Sequence, residues 1–324
     1  MPGKRRFDQQ LAALDELKRQ SPEAVVEPLR TALDHRNNYI VGKAADLAVR
    51  FHLVQLLPEL LAAFDRFFTD PVKTDPQCWA KNALSRALAA LGCQDIDVFL
   101  RGMRHVQLEP VWGGSEDAAG TLRGTCAQAL VQCRSLPETQ LLLYLMELLV
   151  DKDKSVRIEA VRAIEQVASR PAALLLRLRA LLASDEPEVL SACYGGILRI
   201  EDTSAIPWVA RFLAGADETA AEAAWAIADQ RSAQAFVALR ERFAIERDGW
   251  FRSVLLSAIA LTRQQEALDF LFRLIRTEPP NAEAAITAVV ESKPAPEVLE
   301  QLEEIVSGHP RLARVLNSLR RERA

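Results

Sequence analysis

The stretch from residue 153 to residue 168, DKSVRIEAVRAIEQVA, constrains the fold most strongly, because the rest of the sequence repeats its pattern. Its apolar residues fall on one helical stripe, whereas its charged residues lie on the other faces. The apolar stripe consists of Val156, Ala160, Ala163, Ile164 and Val167. A single helix so rich in alanine buries too little surface to be stable alone, so we expect it to stack on copies of itself.

The copies can be aligned on the residue equivalent to Val156 in the second helix of each predicted helix pair. These anchor positions are Val41, Trp79, Leu122, Val156, Val189, Ala220, Phe251, Ala282 and Leu312. Four residues after each of the first six anchors the side chain is small, namely Ala45, Ala83, Cys126, Ala160, Cys193 and Ala224. The pattern predicts antiparallel helix pairs, with single helices over 76–91 and 203–214 among them and no strand anywhere.

The later anchors recur about every 31 residues, with an Asp-led turn and a Val-Arg dipeptide. Together with the small-residue position, this pattern resembles the HEAT-repeat family, including its bacterial HEAT-like branch. The resemblance covers nearly the whole chain. It implies an all-α fold, a right-handed α-α superhelix of about nine helix pairs that forms one solenoid over residues 1–324. Residues 1–20 are expected to form an N-terminal capping helix. The family consists mostly of binding scaffolds.

Composition narrows the possible functions. The formal net charge is −4, from 40 basic and 44 acidic side chains whose signs are interspersed, so no overall field favours nucleic acid or an anionic membrane. The most apolar run, residues 141–150, contains Glu147 and is too short to cross a bilayer. The five cysteines are odd in number and form no CxxC pair. We therefore expect a cytoplasmic protein.

Residue types that carry catalysis are scattered. The four histidines, His35, His52, His105 and His309, form no metal-ligand spacing with each other or with cysteines. Deoxyhypusine hydroxylase, an enzyme built from similar repeats, holds iron with repeated His-Glu pairs, and this motif is absent. Cys126 and Cys193 occupy the small-residue position, which predicts burial. Cys93 and His105 could meet, but no recognisable motif supplies an orienting carboxylate. We expect no catalytic residue, no metal and no cofactor, although enzyme activity stays open.

Two extended connectors interrupt the regular spacing, at 69–77 and 105–120. Because connectors inside successive pairs follow one edge of a solenoid, these two should lie side by side. The longer one, HVQLEPVWGGSEDAAG, is an inserted loop in the third repeat. It carries Glu109, Trp112 and Asp117, with Arg123 just beyond, and together these residues are candidates for binding a partner.

A packing interpretation of the same residues stays open. Trp112 could fold back over the ends of the helices, and Asp117 could cap the helix that follows. Arg123 shares its register with Arg157 and Arg252, which is typical of arginines that bind turn carboxylates of the neighbouring repeat.

A second candidate surface is the groove lined by the second helices. Tyr194 and Trp225 stand five residues after their anchors in adjacent repeats, and could form an aromatic platform for a partner. The alternative is that both rings pack between repeats.

Three functions fit these observations. The one we favour is a non-catalytic scaffold that binds a partner protein through its concave groove and its inserted edge loops. The second is nucleic-acid binding or DNA repair, because alkylpurine DNA glycosylases use HEAT-like repeats, although none of their motif positions match. The third is a bilin-lyase-like helper, because the HEAT-like branch includes phycobilisome lyase subunits. No membrane association is expected, and the oligomeric state is left open.

Overall fold

A computed structural model describes residues 2–182, 185–277 and 279–321, with side chains from residue 7 onward except that of residue 279. The chain divides into two compact units, Met1–Val167 and Ala168–Ala324. The prediction of one continuous domain over residues 1–324 stays a prediction. In the part of the chain that is described, no helix combines the length and the apolar character that crossing a membrane requires.

The first unit contains ten α-helices and one β-hairpin within its described residues. Its elements are α1 (Pro2–Leu17), α2 (Pro22–Leu33), α3 (Asn38–Arg50), α4 (Leu57–Arg66), α5 (Pro71–Thr74), α6 (Trp79–Ala90), α7 (Ile96–Met103), β1 (Leu108–Val111), β2 (Gly114–Asp117), α8 (Gly120–Val131), α9 (Glu138–Leu148) and α10 (Lys154–Val167). Short 3-10 turns precede α4 and α6, at Val54–Leu56 and Pro76–Cys78.

Helix pairs organise this unit. The pairs are α2 with α3, α4 with α6, α7 with α8 and α9 with α10, and the second helices α3, α6, α8 and α10 pack on one another in that order. Helix α1 packs against α3, and its role as an N-terminal capping helix stays a prediction.

The second unit repeats the arrangement. Its helices are α11 (Arg170–Leu181), α12 (Pro187–Glu201), α13 (Ile206–Val209), α14 (Glu218–Asp229), α15 (Ala233–Ile245), α16 (Gly249–Leu261), α17 (Gln265–Thr277), α18 (Pro279–Glu291), α19 (Pro296–Val306) and α20 (Pro310–Arg321). Helices α12, α14, α16, α18 and α20 form the row of second helices, and α13, α15, α17 and α19 follow one another in the row of first helices. Both units therefore have the predicted fold class, stacked α-α pairs like those of HEAT repeats.

The predicted small-residue position is the centre of this packing. Every residue four places after an anchor is buried from the first repeat to the eighth, namely Ala45, Ala83, Cys126, Ala160, Cys193, Ala224, Leu255 and Ile286. Small side chains there allow neighbouring second helices to approach closely. The burial of these eight residues is what the alignment predicts.

Most second helices end in the same way. A residue with positive φ follows the last turn at His52, Gly92, Ala168, Asp202, Arg231, Arg263 and Lys293. This left-handed residue reverses the chain at a helix C-terminus, a role that usually falls to glycine. Because six of the seven are not glycine, the sequence did not reveal this repeated feature.

Two predicted helices differ from the structure. Residues 203–214 were expected to form one helix, but they fall in 3-10 turns at Asp202–Ala205 and Ala210–Ala214 on either side of the one-turn α13. Pro207 has no N–H to extend the helical hydrogen-bond pattern through this segment.

The second anchor was also assigned wrongly. Gln77 and Cys78 take left-handed conformations, so α6 begins at Trp79 rather than at residue 76. Trp79 is therefore about half exposed, and Ala80 is the buried residue. The Trp79 ring packs beside Tyr39 and over Gly42, where a Cβ atom would lie 3.3 Å from the indole.

Candidate interaction surface

The inserted connector 105–120 contains a β-hairpin, which corrects the prediction that no strand occurs. Strands β1 and β2 are antiparallel, with Leu108 opposite Asp117 and Val111 opposite Gly114. Trp112 and Gly113 form the two-residue turn between them, and Gly113 has φ +91°. A glycine tolerates this left-handed conformation without the steric cost that a side chain would bring.

The hairpin tip, defined here as residues 111–114, points its aromatic side chain into solvent. Trp112 is 104% exposed, and Val106, Leu108 and Val111 along the hairpin are also exposed. Trp112 therefore does not fold back over the helix ends, as the packing interpretation required. Exposed apolar side chains that cluster on a protein surface can mark an interaction site.

The base of the hairpin is held by Asp117. Its Oδ1 accepts hydrogen bonds from the backbone N–H groups of Gln107 at 2.9 Å and Ala119 at 3.0 Å, and its Oδ2 accepts one from Arg123 Nη1 at 2.6 Å. Burial raises the pKa of Asp117, but these amide groups and the guanidinium outweigh it, so the pKa lies below its ordinary value. The carboxylate thus stays charged and links the two ends of the hairpin.

Arg123 connects this base to the following helix pair. Its Nε and Nη2 atoms donate to the Asp151 carboxylate at 2.8 and 3.0 Å, and its Nη1 also donates to the His105 carbonyl at 3.1 Å. Burial lowers the pKa of Arg123, whereas Asp151 and Asp117 raise it above its ordinary value. The interpretation of Arg123 as a residue that binds a neighbouring turn carboxylate is confirmed, and the same side chain also fixes Asp117.

The two extended connectors lie side by side, as predicted. The Gln107 side chain donates to the Asp75 carbonyl at 2.9 Å and to Glu109 Oε1 at 2.7 Å, and the backbone N–H of Gln77 also donates to Glu109. The thiol of Cys78 donates to Gln107 Oε1 at 3.2 Å. Glu109 therefore fastens the hairpin to connector 69–77.

A buried ion pair supports this junction, and sequence reasoning missed it. The Lys81 Nζ and Asp75 Oδ2 atoms are 3.0 Å apart, and both side chains are fully buried. Asp75 also accepts hydrogen bonds from the Asn38 side chain at 3.0 Å and from the N–H groups of Ala80 and Lys81 at 2.7 and 3.0 Å. The available signal was an aspartate directly before Pro76, placed to cap the start of α6.

The proposed platform in the second unit does not form. Tyr194 is 0% exposed, and its ring centroid lies 4.8 Å from that of Phe212. Its hydroxyl has no hydrogen-bond partner among the described residues, and burial raises the pKa of Tyr194 above its ordinary value. Trp225 is half-buried. Because a neighbouring repeat covers Tyr194, this residue cannot contact a partner in the described conformation.

The thiols and histidines show no catalytic arrangement in the described residues. All five cysteines are buried, and burial raises the pKa of Cys78 and of Cys193 to about 12. The predicted burial of Cys126 and Cys193 is confirmed. His105 binds the Gln107 side chain, and burial lowers its pKa. No group of three His, Cys, Asp or Glu residues in ranges 2–182, 185–277 and 279–321 could hold a metal ion.

Comparison with known proteins finds solved structures whose fold resembles that of this chain. No family model and no curated protein matches the chain. The karyopherin Kap121p bound to Nup53p is similar over 94% of this chain and 42% of its own, with 12% identity and a TM-score of 0.46. The complex of CpcE and CpcF of phycocyanin lyase from Nostoc sp. PCC7120 is similar over 74% of this chain and 89% of its own, with 17% identity and a TM-score of 0.33. The chain thus spans less than half of the karyopherin, and the similarities are too low to indicate a shared function.

Proposed function

We propose that the chain is a non-catalytic scaffold that binds a partner protein, and that the hairpin tip is its principal contact. The observation that carries this proposal is the complete exposure of Trp112. Tryptophan is enriched among the residues that dominate binding energy at protein interfaces. Its exposure contributes nothing to the packing of the helix pairs, so the fold does not explain why this residue type stands there.

The base of the hairpin supports the same conclusion. Asp117, Arg123, Glu109 and Gln107 hold both strands to the surrounding helices through hydrogen bonds, one of which is buried and two of which are partly buried. A segment that is already ordered loses less conformational entropy on binding than a mobile loop would. The four polar residues thus position the tip, while Trp112 and its exposed apolar neighbours supply the contact area.

Charge argues against nucleic acid as the ligand of this surface. Segment 105–120 contains Glu109, Glu116 and Asp117 but no lysine or arginine. Binding to nucleic acid draws most of its affinity from contacts between basic side chains and phosphates. The hairpin would repel a phosphate backbone, so a protein partner fits it better.

A capture experiment with three forms of the chain tests the proposal. Wild type, Trp112→Ala and Trp250→Ala are immobilised and exposed to extract of the source cells, with and without nuclease. Trp250 is a matched control, because it is about half exposed and lies in the second unit. We expect a protein retained by wild type and Trp250→Ala and lost by Trp112→Ala, whatever the nuclease treatment. Equal capture by all three forms, or capture abolished by nuclease, would contradict the proposal.

A further inference from the structure

The charges around the hairpin tip are unbalanced. All three ionised side chains of segment 105–120 are carboxylates. The flanking basic residues are already engaged, since Arg104 pairs with Glu147 at 3.0 Å and Arg123 pairs with Asp117 and Asp151. The surface beside Trp112 is therefore negative and apolar at the same time.

Two of these carboxylates oppose each other. Glu109 on β1 lies directly across from Glu116 on β2. Side chains of such a cross-strand pair lie on the same face, and like charges in this position are destabilising. Glu109 is partly compensated through its bonds to the Gln77 amide and the Gln107 side chain. Glu116 is exposed and, within the described residues, forms no salt bridge. A cation bound beside Glu116 would reduce this repulsion.

From this arrangement we infer that the hairpin recognises a basic segment of its partner, with an arginine placed over the Trp112 ring and a basic side chain beside the exposed Glu116. This inference rests on the proposed function and specifies the partner's chemistry. The indole face attracts a guanidinium through cation–π interaction, and arginine can bind a carboxylate while it stacks. Recognition goes through side chains because Pro110 removes one backbone donor from β1, which makes pairing with an added strand less favourable.

Binding of short peptides in solution tests the inference directly. A fluorescently labelled peptide of alternating glycine and arginine is titrated with the full chain, next to a peptide in which glutamate replaces arginine. The variants are Trp112→Ala, Trp112→Phe and Glu116→Gln. Glu266→Gln serves as the control, because it makes the same charge change at an exposed residue of the second unit.

We expect the arginine peptide to bind and the glutamate peptide not to bind. Binding of the arginine peptide should weaken as ionic strength rises. Trp112→Ala should raise Kd about tenfold, and Glu116→Gln should raise it several-fold. Trp112→Phe should have a smaller effect than Trp112→Ala because it retains an aromatic face, and Glu266→Gln should have none. If Glu116→Gln and Glu266→Gln bind the peptide alike, or if the glutamate peptide binds as well, the inference is wrong.

The capture experiment separates this inference from the proposed function. Suppose that Trp112→Ala fails to retain the partner in the capture experiment, but that neither Trp112→Ala nor Glu116→Gln changes binding of the arginine peptide. The hairpin would then still be the binding site, but the inference that it recognises a basic segment would be wrong. Equal capture by wild type and Trp112→Ala would overturn the proposed function itself.

Discussion

Trp112 and Tyr194 are both aromatic residues that the sequence marks as candidates for partner binding, yet their surroundings are opposite. Tyr194 follows the repeat register on α12, and its ring contacts Phe212 in the next helix pair. Trp112 lies in an insertion that interrupts a helix pair, and its side chain is fully exposed. In stacked repeats, a residue that occurs at the same position in each repeat packs against the neighbouring repeat. An insertion present in only one repeat has no counterpart in the neighbouring repeat that could cover it. Departure from the repeat, rather than aromatic character, therefore predicts an exposed site here.

The base of the hairpin, unlike its tip, contains buried side chains. We therefore expect substitutions there to lower the free energy of unfolding as much as substitutions in the helical core. Asp75→Ala leaves the Lys81 ammonium buried without its carboxylate and removes the acceptor for two N–H groups of α6. We expect a loss of roughly 3–5 kcal/mol in the free energy of unfolding, measured by urea denaturation. Lys81→Met should cost less, because Asp75 keeps its bonds to Asn38 and the α6 amides. An equal or larger loss for Lys81→Met would mean that the ion pair, rather than these bonds, dominates.

Tyr194 provides the test of burial in the second unit. Tyr194→Ala should lower the free energy of unfolding by roughly 3–5 kcal/mol, because it leaves a large cavity beside Phe212. Tyr194→Phe should be neutral or slightly stabilising, since the hydroxyl has no partner among the described residues. Urea denaturation followed by circular dichroism measures both variants. A marked loss in the Phe variant would show that the hydroxyl is hydrogen-bonded in solution.

The small-residue position tests how tightly neighbouring second helices approach. Ala160 on α10 is fully buried where α10 packs on α8. Ala160→Leu should overpack this contact and cost roughly 1–3 kcal/mol. Arg162→Leu on the exposed face of α10 adds a leucine to the same helix without that penalty and serves as the control. If both variants unfold at the same urea concentration, the alignment of the repeats on this position would be wrong.

The helix pairs could be predicted because each depends on local periodicity that recurs along the chain. Val156 and Ala160 define an apolar stripe within a few residues, and the repetition of that stripe indicates what covers it. The connectors offered no such signal. The length of segment 69–77 marked it as an extended connector, but no periodic pattern in it indicated that Asp75 would be buried and would accept hydrogen bonds from the first turn of α6.

The hairpin illustrates why the remainder could not be predicted. Its strands have weak β-propensity, since β1 contains Pro110 and β2 reads Gly-Ser-Glu-Asp. They pair because Gln107, Asp117 and Arg123 hold both ends of the segment together through bonds that span the sequence. Tertiary bonds of this kind leave no periodic pattern. The sequence could therefore single out Trp112 and Asp117 as candidates without showing which would be exposed and which would be a support.

The carboxylate of Asp117 should make the base of the hairpin sensitive to acid. Because the folded-state pKa of Asp117 lies below its ordinary value of 3.8, its contribution to stability is complete above that value and is lost as the pH falls through the folded-state pKa. Asp117→Asn keeps an oxygen acceptor for the Gln107 and Ala119 amides but removes the charge that faces Arg123. We expect this variant to be about 1–2 kcal/mol less stable than wild type at neutral pH. The difference should shrink in acid, and a difference that is independent of pH would contradict the role of the charge.

The smallest effect on stability is expected for substitution of Trp112 in the hairpin tip. Trp112→Ala removes the largest side chain of the hairpin, but that side chain is fully exposed, so the free energy of unfolding should change by less than about 0.5 kcal/mol. Trp79→Ala is the informative partner variant, because the Trp79 indole is half exposed and packs beside Tyr39. It should cost more than Trp112→Ala in the same urea denaturation. If instead Trp112→Ala were the more destabilising, the tip would fold against the helices in solution, and Trp112 would belong with Tyr194 among the packing residues.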